Sequence, residues 1–186
     1  MSKTVIIHGT KGSPDGNWFR WLAGRLVGVG EDVLIPRMPT PEGQCLAGWL
    51  DAFEASVGRL DEQTTLIGHS LGATFALRVL ERLSVPVRRS VFVAGVIGQI
   101  GIAEYDALNS TFIEAPFNWD KIRSNTGKAL CLSGDNDPYV PVEQGRLLAE
   151  RLGVPNRVIL GGGHLNAESG YLTFPELLEA LVCPED

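Results

Sequence analysis

The chain is short of cysteine and of positive charge, and each shortage excludes a class of protein. Its 186 residues include 3 cysteines, which are widely spaced at Cys45, Cys131 and Cys183. That spacing fits neither a disulfide framework nor a zinc site, and it indicates a reducing compartment. The formal net charge of -6 argues against a nucleic-acid partner, because phosphate binding requires a concentrated basic face.

Long apolar runs and nucleotide-binding glycine patterns are also missing. No run is long enough to cross a membrane, and the first strand-like run begins by Thr4, which leaves no room for a signal peptide. Without a phosphate loop, a dinucleotide fingerprint or a metal-ligand spacing, the sequence predicts neither a cofactor nor a metal. Its length suits a single domain, residues 1–186, and the cytoplasm is the expected location.

The most informative motif is the pentapeptide Gly-His-Ser-Leu-Gly at 68–72. It lies between a short apolar run and a helix-like stretch, which is the setting of a nucleophile elbow. In such a turn the backbone strain lifts the hydroxyl of the serine, here Ser70, out at the tip of a strand. Residues two positions before and after it must be tiny, and Gly68 and Gly72 meet that demand.

A serine hydroxyl needs a base to take its proton and a third group to orient that base. The chain has 3 histidines, of which His69 lies inside the elbow and His8 ends the first strand. His164 remains, on a glycine-rich turn after a late strand, and it is the predicted base. The acid is expected after the preceding strand, where the residues alone leave Asp135 and Asp137 equally eligible.

The order serine, acid, histidine along the chain is the order of α/β-hydrolases. At this point the chain resembles the small serine hydrolase family that includes retinoblastoma-binding protein 9 and the YdeN-like esterases, over nearly its full length. In that family the acid is the later carboxylate of the loop, so the resemblance implies Asp137, directly before Pro138, with Asp135 in reserve. Besides the elbow, the matching stretches are 5–9, 17–22, 37–41, 117–122, 135–141 and 162–164.

A tetrahedral intermediate needs two backbone donors for its oxyanion. One is expected from the amide of Leu71, at the positive end of the helix that follows the elbow. The other is expected from the loop after the first strand, with Thr10 favoured and Gly9 as the alternative. His8, in the same region, is interpreted as a hydrogen-bonded strut.

Strand and helix patterns alternate almost throughout, which predicts an α/β fold with a doubly wound, mainly parallel sheet of about six strands. The site then lies at the carboxyl ends of the strands, where Thr10, Ser70, Asp137 and His164 all fall. Predicted strands are 4–8, 32–36, 64–68, 89–94, 129–132 and 157–160, and predicted helices are 17–28, 42–60, 71–83, 142–152 and 174–182.

The segment between Val96 and Ile122 is too short for a separate cap domain, so we expect a shallow, partly open site. Its aromatic residues Phe112, Phe117 and Trp119 are candidates for the substrate pocket, although aromatics in a short insertion also serve to pin it to the body. Trp18 belongs either to the core or to the floor of the same cleft.

These observations predict a serine hydrolase, specifically a carboxylesterase for small or short-acyl esters, that uses Ser70, His164 and Asp137. Two alternatives stay open. One is a protein-interaction module with a vestigial triad, and the other is a thioesterase, amidase or acyl transferase on the same scaffold.

Overall fold

The computed structural model describes residues 2–182, so Cys183 lies outside the described residues. Within that range the chain forms a fully parallel sheet of six strands in the order β2-β1-β3-β4-β5-β6. The strands are β1 Lys3–Ile7, β2 Asp32–Leu34, β3 Thr64–His69, β4 Arg89–Val93, β5 Lys128–Gly134 and β6 Asn156–Ile159. The helices are α1 Phe19–Val27, α2 Leu46–Val57, α3 Leu71–Leu80, α4 Ala103–Ile113, α5 Trp119–Asn125, α6 Val142–Leu152 and α7 Pro175–Val182. The predicted fold class is confirmed.

Helices cover both faces of the sheet, which explains why the central strands are continuous apolar runs. The core on one face contains side chains of α1 and α7, and the core on the other face contains side chains of α2 to α6. Every residue of β3 and of α3 is buried. The turn between β3 and α3, which carries Ser70, is therefore fixed from both sides.

The direction of strand addition reverses beside β1, because β1 pairs with β2 on one side and with β3 on the other. In a doubly wound sheet, a crevice opens at such a switch point outside the carboxyl ends of the strands. Gly9 follows the end of β1 and Ser70 follows the end of β3. The topology therefore brings these two loops together at the crevice.

Several predicted boundaries differ from the structure, and each difference has a local cause. Helix α1 begins at Phe19 because Asn17 has a positive φ of 50°. Its carboxamide oxygen accepts a hydrogen bond from the distant Ala167 amide at 3.0 Å and does not cap the helix, so the predicted start of this helix at residue 17 is two residues too early. Helix α2 begins only at Leu46, where the Cys45 sulfur accepts a hydrogen bond from the Gly48 amide.

Two helices, α4 and α5, lie in the segment that the sequence pattern left without secondary structure. The Asp106 carboxylate in the first turn of α4 accepts hydrogen bonds from the amides of Ile100 and Gly101 at 2.8 and 3.0 Å. At the start of α5, the Asn118 side chain accepts from the Lys121 amide at 3.1 Å. Both helices pack on α3, and this tertiary support replaces the clear apolar period that their sequences lack.

Candidate active site

Ser70 occupies a strained turn between β3 and α3, with φ 56° and ψ -125°. Its amide donates a hydrogen bond to the Val93 carbonyl at 2.8 Å, which ties the turn to the neighbouring strand. A Cβ on Gly68 would lie 2.4 Å from the Gly72 carbonyl oxygen, and one on Gly72 would lie 2.3 Å from the Ile7 carbonyl oxygen. Only glycine fits at either position, so the spacing that predicted the elbow has a steric reason here.

His164 and Asp137 form a buried hydrogen-bonded pair. The Nδ1 atom of His164 lies 2.7 Å from Asp137 Oδ2, and the two side chains are 9% and 3% exposed. The other carboxylate oxygen of Asp137 accepts hydrogen bonds from the Tyr139 and Val140 amides at 2.8 and 3.0 Å. This arrangement orients the imidazole and leaves its Nε2 atom to exchange a proton with a reacting group.

Ser70 and His164 line the same cleft, at the carboxyl ends of β3 and β6. Within residues 2–182, no hydrogen bond joins the Ser70 hydroxyl to His164. Such bonds are often long in free enzymes and tighten when a substrate is bound.

The loop after β5 holds the loop of His164 at further points. Asp135 Oδ1 accepts a hydrogen bond from the Gly161 amide, and Asn136 Oδ1 accepts one from the Gly163 amide, both at 2.7 Å. Together with the bond between Asp137 and the imidazole of His164, three consecutive side chains, 135–137, thus form hydrogen bonds to residues 161, 163 and 164 of the same loop. Asp135 therefore supports the backbone of that loop, and it does not contact the imidazole.

His69 and Trp18 support His164 from the core. The rings of His69 and His164 have centroids 4.8 Å apart, and Nε2 of His69 lies 2.9 Å from the His164 carbonyl oxygen. Burial, followed by the charge of His164, lowers the pKa of His69 to about 3, so its ring is neutral and donates this bond. The Trp18 indole donates to the next carbonyl, that of Leu165, at 2.9 Å. No sequence pattern predicted this support, and the signal that could have indicated it is the position of His69 directly before Ser70.

The loop after β1 approaches Ser70 closely. A Cβ on Gly9 would lie 2.7 Å from Ser70 Cβ, so only glycine permits this approach. The His8 ring holds the loop from below: Nε2 accepts from the Met38 amide at 3.0 Å, which leaves the proton on Nδ1 to donate to the Gly9 carbonyl at 2.9 Å. Burial lowers the pKa of His8, in agreement with a neutral strut.

A polar network fixes the position of Thr10. Its hydroxyl donates to Asn109 Oδ1 at 2.7 Å, and the Gln44 amide nitrogen donates to Thr10 Oγ1 and to Asn109 Oδ1, both at 3.1 Å. The Thr40 hydroxyl oxygen accepts from the Lys11 amide at 2.7 Å and donates to Gln44 Oε1 at 2.6 Å. Asn109 comes from α4, and Gln44 and Thr40 come from the segment before α2, so two distant parts of the chain hold this loop.

The cleft has a volume of about 210 Å³ and a mixed lining. Its apolar wall consists of Val96, Ile100 and Val140, and its aromatic residues are Tyr105 and Tyr139. The hydrogen bond from the Tyr139 hydroxyl to Glu168 at 2.7 Å raises the pKa of Tyr139 to about 12. The remaining lining residues are glycines, polar or charged side chains: Gly9, Thr10, Lys11, Gly12, Asn17, His69, Ser70, Asn109, His164, Asn166 and Glu168.

The four predicted pocket aromatics do not belong to the cleft lining in the described part of the chain, so that prediction is wrong. Trp18 and Phe112 are fully buried in the two cores. Phe117 and Trp119 contact each other, with ring centroids 5.2 Å apart, and the Arg78 guanidinium lies 3.8 Å from the centroid of the Phe117 ring. Phe112, Phe117 and Trp119 instead attach the segment between β4 and β5 to the body of the protein at α3, which was the alternative role considered for them. The same segment still reaches the cleft, through Tyr105 and Asn109 on α4.

Comparison with known proteins places this geometry in a family. The model of the family described as Serine hydrolase matches residues 4–182. The chain belongs to the serine hydrolase family. It is 30% identical over 185 residues to YdeN of Bacillus subtilis (strain 168), covering 97% of this chain and 95% of YdeN. It is 29% identical over 154 residues to the serine hydrolase RBBP9 of Rattus norvegicus, covering 81% and 80% of the two chains.

Solved structures agree with the fold. The crystal structure of the ydeN gene product from B. subtilis superposes with a TM-score of 0.90 at 27% identity, over 97% of each chain. Est1E from Butyrivibrio proteoclasticus, solved with bound ferulic acid, superposes with a TM-score of 0.69 at 15% identity, over 97% of this chain and 90% of Est1E. At that identity the second match concerns the fold alone. The chain is thus a serine hydrolase of the α/β-hydrolase type, and the expected family resemblance is confirmed.

Proposed function

We propose that this serine hydrolase is a carboxylesterase that cleaves small or short-acyl esters, with Ser70 as nucleophile, His164 as general base and Asp137 as the acid. The observation that carries the proposal is the buried His164–Asp137 hydrogen bond of 2.7 Å in the same cleft as a serine on a strained elbow. A hydrogen-bonded carboxylate fixes the imidazole tautomer, and the strained turn exposes the hydroxyl.

In the proposed reaction the Ser70 oxygen attacks the acyl carbonyl while its proton passes to Nε2 of His164. The amides of Leu71 and Thr10 then bind the oxyanion; neither donates a hydrogen bond to another backbone group within residues 2–182. The tetrahedral intermediate expels the alcohol, which takes the proton from His164, and an acyl-enzyme is left. Water, activated by the same imidazole, hydrolyses that ester and restores Ser70. No step requires a metal or an organic cofactor.

The size and the lining of the cleft support small substrates. A volume of about 210 Å³ is below that of usual drug-sized ligand sites, and its apolar wall of Val96, Ile100 and Val140 is short. No helix within residues 2–182 has the length and apolarity to span a membrane. Cys45 and Cys131 are free thiols, which supports a reducing compartment such as the cytoplasm.

Covalent labelling with a fluorophosphonate probe tests the proposal without knowledge of the natural ester. We expect a single adduct on Ser70 in the wild-type protein, and no adduct in Ser70→Ala or His164→Ala. Ser56→Ala, an exposed serine on α2, is the matched control and should label like the wild type. No adduct on a folded wild-type protein would overturn the proposal and favour a protein-interaction module with a vestigial triad.

The type of acyl bond is tested separately. Esters, thioesters and amides of the same short acyl group should be hydrolysed with the ester preferred, in the presence and absence of an added alcohol as competing acceptor. Preferential transfer to the alcohol would identify an acyl transferase, and faster thioester or amide turnover would identify those activities on the same scaffold.

A further inference from the structure

Lys11 is a positively charged residue of the cleft lining, one residue after the proposed oxyanion donor Thr10. Its backbone has a φ of 56°, a region that glycine adopts readily and that strains other residues. The loop holds this conformation through the hydrogen bond from the Lys11 amide to Thr40. A lysine at this position is therefore less favourable for folding than a glycine would be. Unlike glycine, it carries a positive charge.

The ammonium group of Lys11 forms an exposed ion pair. It lies 2.6 Å from Glu104 Oε1, and the two side chains are 38% and 66% exposed. Exposed ion pairs of this kind contribute little net stability, because water and salt compete with them. Glu104 is on α4 and does not itself belong to the cleft lining in residues 2–182. A carboxylate entering the cleft can replace it at low cost.

The other charged side chain of the cleft lining, Glu168, lies at the far end of a row of contacts. The Lys11 ammonium is 5.2 Å from the centroid of the Tyr105 ring, and the rings of Tyr105 and Tyr139 have centroids 5.9 Å apart. The Tyr139 hydroxyl then donates its hydrogen bond to Glu168. Two tyrosine rings thus separate the positive end of the wall from the negative end, so an anion beside Lys11 is not placed against Glu168.

We infer that Lys11 is a substrate-binding residue for a carboxylate, and that Glu104 occupies the same position on the ammonium group when the cleft is empty. The inference rests on the proposed esterase function and narrows its substrates to esters that carry a second, ionised carboxyl group. It assigns opposite roles to the two members of one ion pair. Lys11 attracts the anionic substrate, and Glu104 competes with it.

The test compares two esters that differ in charge and not in shape, 4-acetoxybenzoate and 4-acetoxybenzamide, which vary the alcohol part. A second pair, the 4-nitrophenyl esters of 4-carboxybenzoate and 4-carbamoylbenzoate, varies the acyl part. The measured quantity is the ratio of kcat/KM for the anionic ester to that for the neutral ester. In the wild type we expect a ratio above one for at least one pair, which falls as ionic strength rises from low salt.

Substitutions of Lys11 and of Glu104 should change this kcat/KM ratio in opposite directions. Lys11→Met should lower the ratio about three- to tenfold, and Glu104→Gln should raise it about two- to fivefold. Glu143→Gln is the matched control, since it removes the carboxylate of another exposed ion pair, with Arg146, away from the cleft; it should leave the ratio unchanged.

If the kcat/KM ratio changes neither with ionic strength nor in Glu104→Gln, for both ester pairs, the inference is overturned. This outcome decides the test even if Lys11→Met does not fold. Hydrolysis of the neutral esters and probe labelling of Ser70 would then still uphold the proposed esterase. Loss of both would instead contradict the proposed function itself.

Discussion

Two loops meet at Ser70, and different kinds of group hold them in place. The histidine loop, residues 161–169, receives buried bonds: Asp137 accepts from the imidazole of His164, and His69 donates to its carbonyl. The proposed oxyanion loop, residues 9–12, is held by neutral groups: the buried imidazole of His8 and a partly buried network of hydroxyl and amide groups that includes Asn109.

The difference follows from what each loop must do. The proposed base becomes charged during the reaction, so it needs a carboxylate partner and a rigid, water-poor setting. The proposed oxyanion loop only has to orient a backbone N–H, and neutral hydrogen bonds suffice for that. A hydrogen bond to a buried charged group is more costly to break than one between neutral, partly buried groups, so we expect the largest effect in the histidine loop.

The largest effect is expected where the charged contact of the histidine loop is removed. Asp137→Asn should lower kcat by about 10⁴-fold, because the amide favours the wrong imidazole tautomer and cannot stabilise imidazolium. Asp135→Asn should change kcat less than about threefold, since its Oδ1 can still accept the Gly161 amide. Steady-state ester hydrolysis measures both, and a reversed order would move the acid to Asp135.

A smaller effect is expected from the neutral network of the oxyanion loop. Removing an oxyanion donor costs about 10²–10³ in kcat, so loosening Thr10 through Asn109→Ala should cost about tenfold, with KM changed less. Asn109→Asp keeps an acceptor for Thr10 and Gln44 and should retain most of the activity. If Asn109→Ala lowers only the unfolding midpoint and leaves kcat intact, the loop does not depend on this network.

A third effect, expected to be smaller again, concerns the support of the histidine loop by the core. His69→Phe keeps a ring beside His164 but removes the N–H that reaches its carbonyl, so kcat should fall about fivefold and the pH–rate profile should shift. His69→Gln can restore a donor and should recover part of the loss. An unchanged pH–rate profile in His69→Phe would reduce His69 to a packing role.

The last prediction concerns folding stability, and the reaction rate does not enter it: the free energy of unfolding should depend on pH. Burial lowers the pKa of both His8 and His69, the latter to about 3, so below about pH 6.5 both histidines bind protons more readily in the unfolded chain than in the folded chain. The stability that these neutral histidines contribute should therefore be fully present above about pH 6.5 and fall as the pH drops, down to about pH 3 for His69, with the unfolding constant rising at most about tenfold per pH unit for each group. Urea titrations across this range measure the slope, which should be shallower in His69→Phe than in the wild type.

Local sequence features predicted the parts of the fold that depend on local sterics. The elbow at 68–72 was visible because two glycines at fixed spacing are needed wherever a strand turns sharply into a helix. The buried strands were visible as apolar runs, and α6 was predicted with the bounds that the structure shows, Val142–Leu152. Helices α4 and α5 were missed, because packing on α3 stabilises them more than their own periodicity does.

The sequence by itself determined the parallel α/β architecture, the strained position of Ser70 and the order of its partners, since turn sterics and apolar periodicity act over a few neighbouring residues. The tertiary structure decided which loop carboxylate contacts His164, that His69 supports it, and that Tyr105 and Lys11 line the cleft while Phe112 and Trp18 do not. These outcomes depend on contacts between residues far apart in the chain, and a local pattern does not specify which side chains meet across the edge of a sheet.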